Sequence, residues 1–134
     1  MDIKKVVVIG SGTMGSGIAA HLCNAKVPVT LLDLTTEISK KARDRIFKSK
    51  PPLLLDKSQI DHIKVGNIND NFDVVKEADW VVEAVVERID IKHNIYEKIF
   101  KNRKEGAIVS SNTSSIPIKV LSEKLTTEEK KDFC

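Results

Sequence analysis

At 134 residues the sequence is one domain long, enough for a single buried core and too short for two. Its composition, 41% hydrophobic and 31% charged, is that of a globular chain without disordered tracts. A formal charge of +3, from 22 basic and 19 acidic residues scattered along the chain, argues against a nucleic-acid partner, as do aromatics at only 4%. Cys23 and Cys134 belong to no CxxC pair or ligand cluster, so neither a disulfide framework nor a metal is expected.

The first five residues lead into Val6-Val7-Val8-Ile9, a β-branched run that suits a strand buried on both faces. Four apolar residues are far too few for a signal core or a membrane span, so no membrane partner and a cytoplasmic setting are expected. From Thr13 the pattern becomes helical, with Met14, Ile18, Leu22 and Ala25 as the apolar stripe and Val27-Pro28 as the stop. Val29-Thr30-Leu31-Leu32 reads as a second buried strand closed by Asp33, after which Thr35 or Thr36 caps a helix through Ile46 and Phe47. Pro51-Pro52 breaks that pattern.

Between Pro51 and Asn71 the periodicity is weak; Ile60, Ile63, Val65 and Ile68 suit a helical turn followed by a strand. Phe72 to Glu77 suits one more turn, and Trp80 to Val86 a further central strand. Ile91, Ile95, Ile99 and Phe100 mark one stripe of an amphipathic helix ended by Gly106, and Ala107 to Ser110 the next strand. Buried strands alternating with amphipathic helices predict an α/β fold, a doubly wound parallel sheet of the Rossmann type.

Gly10-Ser11-Gly12-Thr13-Met14-Gly15 is a G-x-G-x-x-G sequence. Such hexapeptides also occur in ordinary turns; its place, directly after a buried strand and opening a helix, makes it a dinucleotide signal. Gly10 permits the tight turn, Gly12 lets the backbone approach a pyrophosphate, and Gly15 lets helix and strand pack closely. The free N–H groups at the helix start face the diphosphate. Asp33 lies near the ~20-residue offset expected of a ribose-binding carboxylate. It would repel a 2′-phosphate, and Leu34, Thr35 and Thr36 supply no cation to bind one, which favours NAD over NADP. The competing structural role for Asp33 is to cap the next helix.

Two later segments carry a family resemblance. Glu83-Ala84-Val85-Val86-Glu87 with Lys92 five residues on, and Ser111-Asn112-Thr113-Ser114-Ser115, resemble hallmark segments of the 3-hydroxyacyl-CoA dehydrogenases. With the Gly-rich turn carrying Met14, the resemblance covers essentially the whole chain. It implies that Val85, Val86 and Glu87 line the nicotinamide ribose. By the same resemblance Lys92 bonds that ribose and pairs with Glu87, Asn112 holds nearby groups, and Ser114 reaches both nicotinamide and the substrate 3-oxygen as a catalytic residue. Both segments sit at C-terminal strand ends, where open parallel sheets bind ligands. Glu83 and Glu87 interrupt an apolar strand end, and carboxylates there need partners. Lys92 is expected at the crevice and outside the core, so that replacing it leaves the fold intact. The bland alternatives are a surface ion pair for Glu87–Lys92 and a polar turn before Pro117 for Ser111 to Ser115.

The resemblance further implies a reversible oxidation of a (3S)-3-hydroxyacyl-CoA, an acyl-CoA substrate, and a homodimer. Its general base is a histidine paired with a glutamate. Neither His21, His62 nor His93 matches that histidine, whose segment is expected to begin at Phe133-Cys134, so it and a C-terminal helical domain are expected beyond Cys134. The first strand lies so near Met1 that the single-function form is expected over the fused β-oxidation form, and the 134-residue chain alone is expected to be nearly inactive. Another β-hydroxyacid or sugar-acid dehydrogenase would share the Gly-rich turn and Asp33, though not both later segments. A non-catalytic dinucleotide-binding remnant of a split gene is the alternative from a different class.

Overall fold

The computed structural model describes residues 2–134. Five parallel strands form one sheet in the order β3-β2-β1-β4-β5: β1 Val6–Ile9, β2 Val29–Asp33, β3 Ile63–Asn67, β4 Trp80–Glu83 and β5 Ile108–Ser111. Between them run α1 Thr13–Asn24, α2 Thr36–Lys48 and α3 Ile89–Asn102, with short 3-10 helices at Lys57–His62 and Phe72–Glu77. Two short helices follow, α4 Ile118–Leu121 and α5 Thr127–Lys131. None of the helices among the described residues is long and apolar enough to cross a membrane.

The unbroken apolar runs have the burial they imply. Along β1, Val7 and Ile9 join one core with Val81, Ile99 and Val109, while Val6 and Val8 join the other with Ala19, Leu31 and Ile46. A strand covered on both faces has no need of a polar alternation. The chain leaves β1 toward β2 on one side, whereas β4 flanks β1 on the other. That reversal opens a crevice beyond the C-terminal ends of β1 and β4, where doubly wound sheets hold ligands.

The predicted stripe of α1 is corrected by the structure. Its buried face is Gly15, Ser16, Ala19, Ala20 and Cys23; Met14 is 59% exposed, and Ile18 and Leu22 are only half-buried. Small side chains let this helix approach the sheet closely, which outweighs the burial available to larger ones. A Cβ on Gly15 would lie 1.8 Å from the Gly10 carbonyl oxygen, so the contact admits only hydrogen. The helix also ends before Val27-Pro28: Lys26 takes a left-handed conformation at φ 62°, and the Val27 N–H turns back to the Leu22 carbonyl. For α2 the Thr35 hydroxyl accepts from the Ile38 N–H, so Thr35 and not Asp33 is the cap.

Strand β4 stops at Glu83, short of the predicted Val86. The Glu83 carboxylate accepts from the Val85 N–H at 2.9 Å and turns the chain out of the sheet. At the far edge, Asp132 to Cys134 run parallel beside β5, with Phe133 paired to Val109 and the Cys134 N–H on the Val109 carbonyl at 2.9 Å. Phe133 makes a single parallel bridge there, outside the five strands of the sheet.

Candidate functional site

A cavity of about 760 Å³ lies across the C-terminal ends of β1, β2, β4 and β5, lined by Gly10 to Met14, Asp33, Leu34, Ile68, Ala84 to Glu87, Ile91, Ile95 and Asn112 to Ser114. Eleven of the thirteen sequence-derived site residues meet here: Gly10, Ser11, Gly12, Thr13, Met14, Asp33, Val85, Val86, Glu87, Asn112 and Ser114. Gly15 stands behind the turn as a packing residue, and Lys92 lies behind Glu87.

The Gly-rich turn is shaped by two close approaches. Gly10 has φ +106°, and a Cβ on it would lie 2.4 Å from the Ala84 carbonyl oxygen. Gly12 differs: a Cβ there would meet nothing within 4 Å, because its open side faces solvent at the start of α1. The first turn of α1 carries no acidic residue to neutralise its positive end. An anion can approach that backbone closely, which fits a diphosphate.

Asp33, at the tip of β2, is already engaged. Its Oδ2 accepts from the Ser11 N–H at 2.8 Å and the Ser11 hydroxyl at 2.5 Å, and its Oδ1 from the Leu34 N–H at 2.7 Å. A carboxylate offers about four acceptor sites, so one is free. To accept both hydroxyls of a ribose, Asp33 must release the Ser11 hydroxyl. Ser11 itself is buried, and its carbonyl accepts from the Ser16 hydroxyl and Arg45, so it serves the site by holding Asp33.

At the other end, Glu87 faces the cavity from the loop after β4. Its Oε2 accepts from the Ser115 hydroxyl at 2.7 Å, the Thr113 hydroxyl at 3.0 Å, and the Ser114 and Ser115 N–H groups at 3.3 and 3.1 Å. Its Oε1 is 3.0 Å from Lys92 Nζ. The Ser115 hydroxyl and then the Lys92 ammonium hold its carboxyl well below the usual carboxylate range, against the opposing effect of burial. The predicted Glu87–Lys92 pair therefore forms, and the bonds that Glu87 accepts from Thr113, Ser114 and Ser115 tie the two resemblance segments together.

Lys92 is not where the sequence reading put it. It is fully buried, and its three donors go to Glu83 Oε2 at 2.6 Å, Glu87 Oε1 at 3.0 Å and the Val85 carbonyl at 3.4 Å. No donor is left over for a ribose while those bonds hold. The reason is helical phase: Lys92 shares the buried face of α3 with Ile95, Tyr96 and Ile99, and Glu83 waits inside the sheet end. Glu83, Tyr96 and Ser111 form the part of the site that sequence reasoning left without a role. Glu83 alone among the β4 residues is charged, and Tyr96 follows Lys92 at i+4; those were the available signals.

None of the three histidines lines the cavity. His21 lies on α1, His62 in the turn before β3, and His93 Nε2 stands 3.1 Å from the Val120 carbonyl on the far side of α3. Among the described residues no group of three potential ligands is placed to hold a metal.

The family model for the 3-hydroxyacyl-CoA dehydrogenase NAD binding domain matches residues 5–134. The chain belongs to that family. The cofactor it names, NAD, fits the open backbone at Gly12 and the carboxylate at the tip of β2. Within curated relatives, the chain is 42% identical over 125 residues to the "Probable 3-hydroxyacyl-CoA dehydrogenase" of Deinococcus radiodurans, covering 88% of this chain and 36% of that protein. It is 35% identical over 138 residues to the fatty acid oxidation complex subunit alpha of Shewanella putrefaciens, covering 95% of this chain and 19% of the relative. Among solved structures, (S)-3-hydroxybutyryl-CoA dehydrogenase from Ralstonia eutropha superposes with a TM-score of 0.81 at 31% identity, over 98% of this chain and 48% of that one. The chain thus spans a minor part of the 3-hydroxyacyl-CoA dehydrogenases it matches, and its sheet is their NAD-binding unit.

Proposed function

We propose that residues 1–134 are the cofactor half of an NAD-dependent (3S)-3-hydroxyacyl-CoA dehydrogenase of fatty-acid or hydroxybutyryl-CoA metabolism. The observation that carries this reading is the single cavity joining the Gly-rich turn and Asp33 at one end to Glu87 and Ser114 at the other. NAD bound there supplies a hydride acceptor for C3 of the 3-hydroxyacyl-CoA, reversibly, while the hydroxyl proton passes to a general base.

In this reading the N–H groups at the start of α1 hold the diphosphate beside Gly12, and Asp33 holds the adenosine ribose. Val85, Val86 and Glu87 line the nicotinamide ribose, and Asn112 holds the groups around it. Ser114, exposed on the turn after β5, reaches the substrate oxygen as the catalytic residue within this chain. Lys92 acts on the ribose by fixing Glu87. The histidine–glutamate base and the helical domain that completes the acyl-CoA site belong to the part of the enzyme that this chain, 36% of one relative's length and 48% of another's, does not span. Dimerisation through that domain and a cytoplasmic setting complete the proposal.

Titration calorimetry of the 134-residue chain tests the cofactor assignment. NADH binds and NADPH binds much more weakly, because Asp33 faces the 2′ position; equal affinities overturn it. Turnover of acetoacetyl-CoA with NADH stays near background for this chain alone and rises when a separately expressed C-terminal half is added. Robust turnover without that half would make one of the chain's own histidines the base and overturn the assignment.

A further inference from the structure

We propose that Glu83 is a positioning residue for the nicotinamide end of the cofactor site, acting with Tyr96 and Ser111 through Lys92 and Glu87; this rests on the NAD-binding reading above. Glu83 is fully buried, yet each of its oxygens accepts two donors. Oε1 takes the Tyr96 hydroxyl and, at 2.7 Å, the Ser111 hydroxyl. Oε2 takes Lys92 Nζ at 2.6 Å and the Val85 N–H at 2.9 Å. The four donors come from α3, β5 and the loop after β4, so one carboxylate holds three elements at the crevice.

Stability by itself does not account for a charge at this position. A well-packed apolar side chain holds neighbouring elements at least as well as a buried ion pair does. What an apolar side chain cannot do is fix an ammonium. Lys92 Nζ, set by Glu83 on one side, braces Glu87 on the other, and Glu87 is the member of the cluster that faces the cavity. The Tyr96 ring takes part at both ends. Its hydroxyl donates to Glu83, and its ring packs against the Phe133 ring in a T-shaped pair at 5.0 Å between centroids. Burial, and then the bond to Glu83, pushes the phenol far above its ordinary range, so it remains a donor at every working pH. In register, Ser111 stands opposite Glu83 on the neighbouring strand, so the length of that strand pair sets where the carboxylate sits.

The test separates the two ends of the cofactor. ADP carries the adenosine and diphosphate but lacks the nicotinamide riboside, so it reports the Gly-rich turn and Asp33 alone. Calorimetry with NADH and with ADP is run on the 134-residue chain and on its Tyr96→Phe, Ser111→Ala and Glu83→Gln variants. Tyr96→Phe and Ser111→Ala, which each remove one hydrogen bond to a charged group, are expected to weaken NADH by roughly tenfold, Glu83→Gln by at least that much, and all three to change ADP by less than about twofold. If NADH affinity is unchanged in Tyr96→Phe and Ser111→Ala, the proposal is wrong. Parallel loss of NADH and ADP also overturns it, since that is a general loosening of the domain. Should Glu83→Gln fail to fold, Tyr96→Phe decides, because its ring still fills the same space. An unmodified chain that binds neither ligand defeats the NAD reading itself, and this proposal with it; ADP binding in the unmodified chain keeps the two failures apart.

Discussion

Lys92 Nζ stands 2.6 Å from Glu83 Oε2 with both side chains fully buried, so the first turn of α3 is joined to the end of β4 by an ion pair closed to water. The more visible pair, Lys92 with Glu87, is the outer half of the same arrangement, its carboxylate side chain one-third exposed. Charges in this position act differently from a surface pair, because neither can return to solvent without opening the domain.

Lys92→Met therefore costs stability as well as ligand affinity. Removing one partner of a buried pair typically costs about 3–5 kcal/mol, since the other charge is left uncompensated. Urea unfolding followed by circular dichroism measures it. Combining Lys92→Met with Glu83→Leu should recover part of the loss, and equal midpoints for Lys92→Met and the unmodified chain would show that the pair is dispensable.

The second and third glycines of the turn separate fold from binding. Gly15→Ala puts a Cβ 1.8 Å from the Gly10 carbonyl oxygen and should lower the melting temperature substantially. Gly12→Val meets open space, costs no more than about 1 kcal/mol of helix capping, and blocks the approach of a diphosphate. Melting curves and NADH titrations of the pair should give opposite patterns; normal NADH binding by Gly12→Val would make the turn purely structural.

Asp33→Ala should weaken NADH by about one to two orders of magnitude, the worth of charge-assisted hydrogen bonds. Ser11→Ala should leave the affinity nearly unchanged, because it only frees the Asp33 acceptor site that the Ser11 hydroxyl occupies at 2.5 Å. NADH affinity of Ser11→Ala within about threefold of the unmodified chain is expected. A loss as large as that of Asp33→Ala would mean that the Ser11 hydroxyl meets the cofactor directly.

Asp79 supplies a pH signature. The Lys104 ammonium, then the Lys4 and Lys5 N–H groups, lower its carboxyl from 3.8 to about 2. A carboxyl depressed in the folded state stabilises above its unfolded value and loses that contribution as pH falls through its folded one. The gap in melting temperature between the unmodified chain and Asp79→Asn should be full at neutral pH and close between about pH 4 and pH 2. A gap that does not change with pH would mean that the Asn loses packing and not charge.

Much of the site is legible in the sequence because its signals are local. The Gly-rich turn, Asp33, Glu87 and the Asn112 to Ser115 segment are each a few adjacent residues whose types carry their own chemistry, and the sheet brings them to one cavity. The strand at Ile63–Asn67 is harder to place, since Pro51-Pro52 and a 3-10 helix precede it and a second 3-10 helix follows, which separates it from the periodic segments on either side.

What the sequence by itself determined is the alternation of strands and long helices and the turn chemistry, though not the short helices α4 and α5, because runs of β-branched residues, helix-period stripes and glycines act through neighbours along the chain. The buried face of α1 and the inward direction of Lys92 were decided by tertiary structure. In α1, a backbone contact at Gly15 selected small residues for the interface and left Met14 at the cavity mouth. For Lys92 the choice lay with Glu83, Tyr96 and Ser111, which come together only when β4, α3 and β5 are packed and Ser111 is in register with Glu83. A buried carboxylate must satisfy its lone pairs from whatever the fold places around it, and those partners are set by strand register and helix phase across distant parts of the chain.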